Sequence, residues 1–340
     1  MDAPTLNLRP KLLIVCGPTA TGKTELALHL AEVLVSDSKI YSGVEIVSGD
    51  SRQVYKNMDI GTGKGLPKGA KYKISNLKFK NKTIGYYEID RVKIWGYDLV
   101  NPKEAYSVSK YTEIADEILK NIWERRKLPI LVGGTGLYIK SLVSGIETIS
   151  IPQNKSLRRS LGKKSAPELF EILAQLDPVK AGSLNTSDSK NPRRLVRAIE
   201  IAQWKLKRIK RKKTYQKKNL DSVFIGLYAP KEMLEKRIQE RIQERLKKGI
   251  EDEIKRLLKS GVYWEDQSMQ SLAYKEWKGY FAGSKTKDEV IKNWENDEKN
   301  YVKRQMIWFK TNLNIHWFDI TKPVYPNDVE KMVKEWYISK

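Results

Sequence analysis

Gly17-Pro18-Thr19-Ala20-Thr21-Gly22-Lys23-Thr24 decides the reading of this chain. It fits the phosphate-binding pattern G-x-x-x-x-G-K-[ST]. Before it, Leu12, Leu13, Ile14, Val15 and Cys16 form a short apolar run, as a buried parallel strand requires. After it, Leu26, Leu30 and Leu34 recur every fourth residue with Ala27 and Ala31 beside them, which marks a helix face. Strand, glycine loop and helix together let backbone amides and a helix N-terminus wrap a phosphate. In that pattern the amides of Gly17, Thr19, Ala20, Thr21 and Gly22 face the phosphates. Lys23 reaches the outer phosphate and the Thr24 hydroxyl ligates magnesium.

Working outward, Val44 to Val47 reads as a second strand and Leu128 to Val132 as a third, the latter preceded by a helix through Tyr111, Ile114, Ile118 and Ile122. This alternation predicts an α/β fold, a parallel sheet covered by helices. Ligands in such sheets bind beyond the carboxyl ends of the strands. The second strand ends in Gly49-Asp50-Ser51 and the third in Gly133-Gly134-Thr135, so both converge with the phosphate loop on one cleft. A carboxylate at Asp50 can serve there as a magnesium ligand, as a general base, or simply as a helix cap.

Residues 65–98 are lysine-rich, with imperfect apolar alternation, and predict a small β insertion. Sheet signals vanish over 151–220, where short helical stretches appear at Ala166–Leu176 and Arg193–Trp204. Lys205 to Lys218 then holds nine basic residues and no acid. Val223 to Tyr228 resumes a strand, and a single charged helix is expected from Lys231 to Ser260, with Arg237, Arg241 and Arg245 on one face. Glu235, Glu240 and Glu244 could pair with them on an ordinary surface helix. The expected organisation is a phosphate-loop core at 8–150, a helical insertion at 151–220, the rest of the core at 221–318 and a C-terminal tail at 319–340.

Composition narrows the partners. The chain has 340 residues, 64 Lys and Arg against 41 Asp and Glu, and a formal net charge of +23. Such an excess serves a polyanion, nucleic acid above all. The single cysteine excludes an internal disulfide and any multi-cysteine metal site, and fits an intracellular protein. With only His29 and His316, a histidine metal site or catalytic triad is not expected. No apolar run reaches the length of a membrane span, and the N-terminus lacks a secretory signal.

Five segments taken in order carry a resemblance: GPTATGKT (17–24), DSRQVYKNMDIGTGK (50–64), LVGGTGLYIKSL (131–142), NPRRLVRAIE (191–200) and YVKRQMIWFK (301–310). They resemble the tRNA dimethylallyltransferase (tRNA isopentenyltransferase) family over nearly the whole chain. The absence of zinc-finger cysteines favours its bacterial type. The resemblance implies a nucleotide-kinase-like core with a helical tRNA-binding insertion. It implies transfer of a dimethylallyl group from dimethylallyl diphosphate to N6 of the adenine at tRNA position 37, with Mg2+ as cofactor. Asp50 would be the general base, Arg241 a diphosphate contact and Thr135 a neighbour of the reacting base. Ser51, Arg52 and Gln53 would line the acceptor nucleotide, and Arg193, Arg194, Arg197, Lys303, Arg304 and Gln305 would approach tRNA. Tyr274 is expected at a further tRNA contact, although Ala273 stands where the family usually has glycine. Trp308, in an apolar run, reads as core. The partners implied are the tRNA anticodon stem-loop and dimethylallyl diphosphate, for a cytoplasmic monomer. Two alternatives share the loop: an adenylate isopentenyltransferase acting on free AMP, ADP or ATP, and an ATPase or kinase acting on nucleic acid. The +23 charge and the basic insertion favour tRNA over a free nucleotide, and Ser51-Arg52-Gln53 lacks the Glu that would position a hydrolytic water.

Overall fold

The computed structural model describes residues 9–36, 41–207 and 219–338. The basic run lies outside the described residues beyond Lys207. The chain divides into two compact units, one of Met1–Ser144 with Lys218–Lys340 and one of Gly145–Lys217.

In the first unit the elements run β1 (Lys11–Cys16), α1 (Lys23–Ser36), β2 (Val44–Ser48), β3 (Lys71–Phe79), β4 (Lys82–Ile89), β5 (Val92–Trp95), α2 (Val108–Glu124), β6 (Leu128–Gly133) and α3 (Gly136–Val143). The second unit holds α4 (Lys155–Leu161), α5 (Ala166–Leu176), α6 (Pro178–Gly182), α7 (Thr186–Ser189) and α8 (Pro192–Lys207). The first unit resumes with β7 (Asp221–Tyr228), α9 (Lys231–Lys247), α10 (Ile250–Lys259), α11 (Lys278–Phe281), α12 (Lys287–Lys310), β8 (Ile315–Asp319) and α13 (Tyr325–Ile338).

All eight strands form one sheet in the order β3-β4-β5-β2-β6-β1-β7-β8. From β5 to β8 every neighbouring pair is parallel, and β3 and β4 extend the edge as an antiparallel hairpin. The expected β insertion at 65–98 therefore lengthens the main sheet. Side chains alternate between the two faces, as strand geometry demands. On β1, Leu12, Ile14 and Cys16 join the core formed with α2, α3, α10 and α12, while Leu13 and Val15 join that of α1 and α13. Both faces are thus covered, which explains why β1 and β6 read as largely apolar runs and why β2 is buried throughout, its Glu45 paired with Arg125 and Lys127.

Two expectations fail. The helix predicted over 231–260 breaks at Gly249, which adopts φ +84 between the end of α9 and the start of α10. Residues 319–338 of the expected 319–340 tail are no tail: Val329, Val333 and Tyr337 of α13 are buried in the sheet's second core, and the Trp336 indole donates to Asp221 at 2.8 Å. Charge and spacing in that segment suit an exposed stretch as well as an amphipathic helix, so the sequence leaves its burial open.

The helical unit has its own core of Leu161, Leu169, Leu173, Leu195 and Ile199. It begins at Gly145 and ends at Lys217, against the expected 151–220. Inside it Glu200 is buried. Burial pushes its carboxyl up, but hydrogen bonds from Arg158, Arg197 and the Asn154 amide win and hold it down at about 2.

Candidate active site

Parallel register brings three strand ends to one line. Cys16 of β1 pairs with Gly133 of β6, and Ser48 of β2 pairs with Val132. The turns that follow these ends open a cleft of about 750 Å3, lined by Lys23, Thr24, Asp50, Gly134, Arg241 and Arg304 among others.

The phosphate loop forms one wall. The Lys23 ammonium donates to the Pro18 carbonyl at 2.5 Å, and Thr24 shares a hydrogen bond with Tyr97. Opposite stands a second glycine loop, 59–65, whose fold depends on a residue that sequence reading missed. Glu253 of α10, buried, accepts from the amides of Asp59 (2.8 Å), Ile60 (2.9 Å) and Gly61 (3.1 Å). Its neighbours Glu251 and Asp252 carry the same charge in sequence, so only the tertiary fold singles it out. Lys64 closes the same loop, buried against Asp98 at 2.5 Å and the Tyr55 carbonyl at 2.9 Å.

Arg241 bridges the two loops. Its Nη1 donates to Thr19 Oγ1 at 2.5 Å, and a Cβ on Gly63 would come 3.0 Å from its Nη2. Arg237 donates to the Ala20 carbonyl at 3.2 Å, and Arg245 to Glu298 at 3.1 Å. The arginine face of α9 thus serves the cleft; Glu235 and Glu244 take lysines instead. Burial, then the neighbouring Arg245, pushes Arg241 down to about 10. Burial, then Arg241, pushes Lys23 down to about 8, with Asp50 opposing. Cations crowded in this way are short of anionic partners, which is what an anion-binding site looks like before its anion arrives.

Asp50 heads the turn after β2. Its Oδ1 accepts from the Arg52 amide at 2.7 Å and more weakly from Gln53, the local cap allowed by the sequence, while the carboxylate still faces the cleft. Thr135 Oγ1 accepts from the Ser51 amide at 3.1 Å, so the turns after β2 and β6 are stitched together. Tyr301 joins this group unpredicted. It hydrogen-bonds Thr135 and lines the cleft, and burial, then Asp50, pushes its hydroxyl up to about 12.

Gly134 and Gly136 are spacers for α12, while Gly133 lets β6 approach the Gly49 backbone. A Cβ on Gly134 would fall 2.2 Å from Gln305 Nε2, and one on Gly136 1.9 Å from the Trp308 ring. Gln305 fills the first gap, donating to the Gly134 carbonyl and accepting from the Thr19 amide, both at 2.9 Å.

Several residues expected at a tRNA surface are therefore occupied inside the protein. Gln305 is buried and braces the phosphate loop. Tyr274 is fully buried and donates to Glu253 at 2.6 Å. Gln53 accepts from Ser48 at 3.0 Å and donates to the Gly63 carbonyl at 3.2 Å. Arg197 is committed to Glu200 and to the carbonyls of Thr148 and Ile151, and Arg194 pairs with Asp188. Arg193, Lys303 and Arg304 stay exposed, and Arg52 lines the cleft. Trp308, read as core, is 40% exposed. Ala273 sits at φ +73, the left-handed region that a glycine would occupy without strain.

Fold and site define a phosphate-loop protein of nucleotide-kinase-like architecture, with a cationic cleft that holds a carboxylate and a separate helical unit. Residues 53–312 match the IPP transferase family model. A tRNA dimethylallyltransferase of Anoxybacillus flavithermus is 35% identical over 319 residues, covering 92% of this chain and 91% of its own length. The chain belongs to the IPP transferase family. Among solved structures, the tRNA isopentenylpyrophosphate transferase of Bacillus halodurans matches with a TM-score of 0.66 at 29% identity, over 96% of this chain and 97% of its own. A eukaryotic dimethylallyltransferase acting on tRNA shares the fold, with a TM-score of 0.70 at 20% identity over 96% of this chain and 77% of its own.

Proposed function

We propose that this enzyme transfers the dimethylallyl group of dimethylallyl diphosphate to N6 of the adenine at position 37 of tRNA, releasing diphosphate. The observation that carries the reading is Asp50 facing the same cleft as Lys23 and Arg241. The names of the bacterial relatives and the family model support the same reaction and a tRNA acceptor.

Diphosphate binds between the phosphate-loop amides, Lys23 and Arg241. The N6 lone pair attacks the allylic carbon while the carbon–oxygen bond breaks, its electron pair leaving on diphosphate. Asp50 takes the N6 proton. Lys23 and Arg241 are placed to stabilise the leaving charge within a partly dry cleft. Adenine leaves the anticodon stack to reach the cleft, as base-modifying enzymes require. Thr135 and Ser51 position the acceptor beside Asp50, and Arg52, Arg193, Lys303 and Arg304 hold the RNA backbone.

Among the described residues no cluster of three or more His, Cys, Asp or Glu could hold a metal. A lone hydroxyl donor suits magnesium, which keeps most of its sphere for water and substrate phosphate. Thr24 would hold such an ion beside the diphosphate, where it would supply positive charge to the leaving group. No described helix is long and apolar enough to cross a membrane. The proposed setting is a cytoplasmic monomer, which meets its tRNA in solution.

The test supplies labelled dimethylallyl diphosphate with magnesium to unmodified tRNA and, in parallel, to AMP. Label in tRNA alone is expected; label in AMP with tRNA inert overturns the reading. Asp50→Ala should reduce transfer by at least about a thousandfold, with tRNA binding retained. Unchanged turnover in the folded variant removes Asp50 from its role.

A further inference from the structure

Trp308 departs from the burial expected of a tryptophan in an apolar run, and its surroundings say what it faces. Its indole edge lies against Gly136, at the start of α3, where any side chain would displace it. One turn earlier on α12 stands Arg304, which lines the cleft, and Gln305 beside it reaches the Gly134 carbonyl. Lys303, Arg304, Ile307 and Trp308 form an exposed stripe, with Ile307 69% exposed, and Leu137, the residue after Gly136, is 41% exposed. The Arg304 guanidinium lies 5.6 Å from the Tyr301 ring centre. An exposed indole seated against Gly136, beside cations and one turn from the Arg304 that lines the cleft holding Asp50, has the chemistry of a base-stacking surface. An apolar protein partner would leave the adjoining Lys303 and Arg304 unpaired.

We propose that Trp308 is a stacking platform for an unpaired RNA base immediately adjacent to the acceptor adenine. The proposal rests on the tRNA reading above. Flipping the acceptor exposes the π-face of its neighbour, and the indole replaces the stacking partner that was lost. Arg304 then takes the phosphate between the two nucleotides.

Binding of an anticodon stem-loop RNA is measured for the wild type, Trp308→Ala and Trp308→Leu, the last keeping an apolar side chain against Gly136 without a ring. Both variants should weaken stem-loop binding roughly tenfold while affinity for dimethylallyl diphosphate is unchanged. The same measurement uses two stem-loops carrying an abasic nucleotide on either side of the acceptor. On one of them the wild type and Trp308→Ala should bind alike, because the base that stacks is gone. A penalty of equal size on both abasic RNAs, or none on the intact one, overturns the proposal, as does a loss confined to diphosphate affinity. If Trp308→Ala does not fold, Trp308→Leu carries the comparison. Wild-type protein that binds stem-loop but transfers no label to tRNA overturns the reaction instead, and the platform is still judged by binding.

Discussion

Lys23 is pushed down to about 8 by burial and by Arg241, so its charge is labile near neutral pH in the free enzyme. A bound diphosphate supports the ammonium and raises that value. The profile of kcat/KM against pH should therefore fall above about 8, while the corresponding limb of kcat moves to higher pH. Stability of the ligand-free protein follows the same group with opposite sense. The folded value lies below the ordinary 10.5, so the buried charge is a penalty below about 8, relieved as pH climbs from there toward 10.5. Lys23→Met should remove both effects, measured by initial rates and by thermal melting across that range. The loop is legible in sequence because its chemistry is local: glycine, lysine and threonine at fixed spacing. Gln305 is not, since a glutamine following Lys303 and Arg304 on a charged helix gives no sign that it will turn inward to the Thr19 amide.

Elements position what residues perform, and α10 shows it. Its Glu253 gathers three consecutive amides of the 59–65 loop and the hydroxyl of Tyr274. Glu253→Ala strands these donors in a buried site and should cost about 3 kcal/mol or more, read as a lowered melting temperature. Glu253→Gln, which retains one acceptor oxygen, should lose less. Equal, negligible losses would show that the loop does not depend on this contact. Short apolar runs announce β1, β2 and β6 because both their faces are buried, and helical periodicity announces α2 because it buries one face. Periodicity runs α9 and α10 together because charge on a long amphipathic surface does not reveal a turn; Gly249 does, through its backbone alone. The glycines at 134 and 136 are visible as a motif, yet their purpose, admitting Gln305 and Trp308, belongs to a helix far away in sequence.

At the scale of the molecule, α13 closes the sheet's second face beside α1. Lys11 reaches the Trp336 carbonyl at 2.7 Å and Asp221 at 2.9 Å, so the last helix ties β1 to β7. Ending the chain at Lys322 uncovers part of the apolar cluster that holds Leu13, Val15 and Leu227, and should yield aggregated protein. Soluble, active protein of that length would show α13 to be dispensable. Val333→Ala, a gentler change, should cost about 2 kcal/mol, read from denaturant or thermal unfolding.

Cys16 ends β1 between β6 and β7, with no exposed surface, and burial pushes its thiol up to about 12. A thiol kept protonated and shielded does not exchange with disulfides or react with alkylating agents while the sheet is closed. Its labelling rate is consequently a built-in clock for opening of the strand that carries the phosphate loop. A ligand held in the loop should slow that clock, so occupancy of the loop can be followed without attaching a dye or adding a second protein.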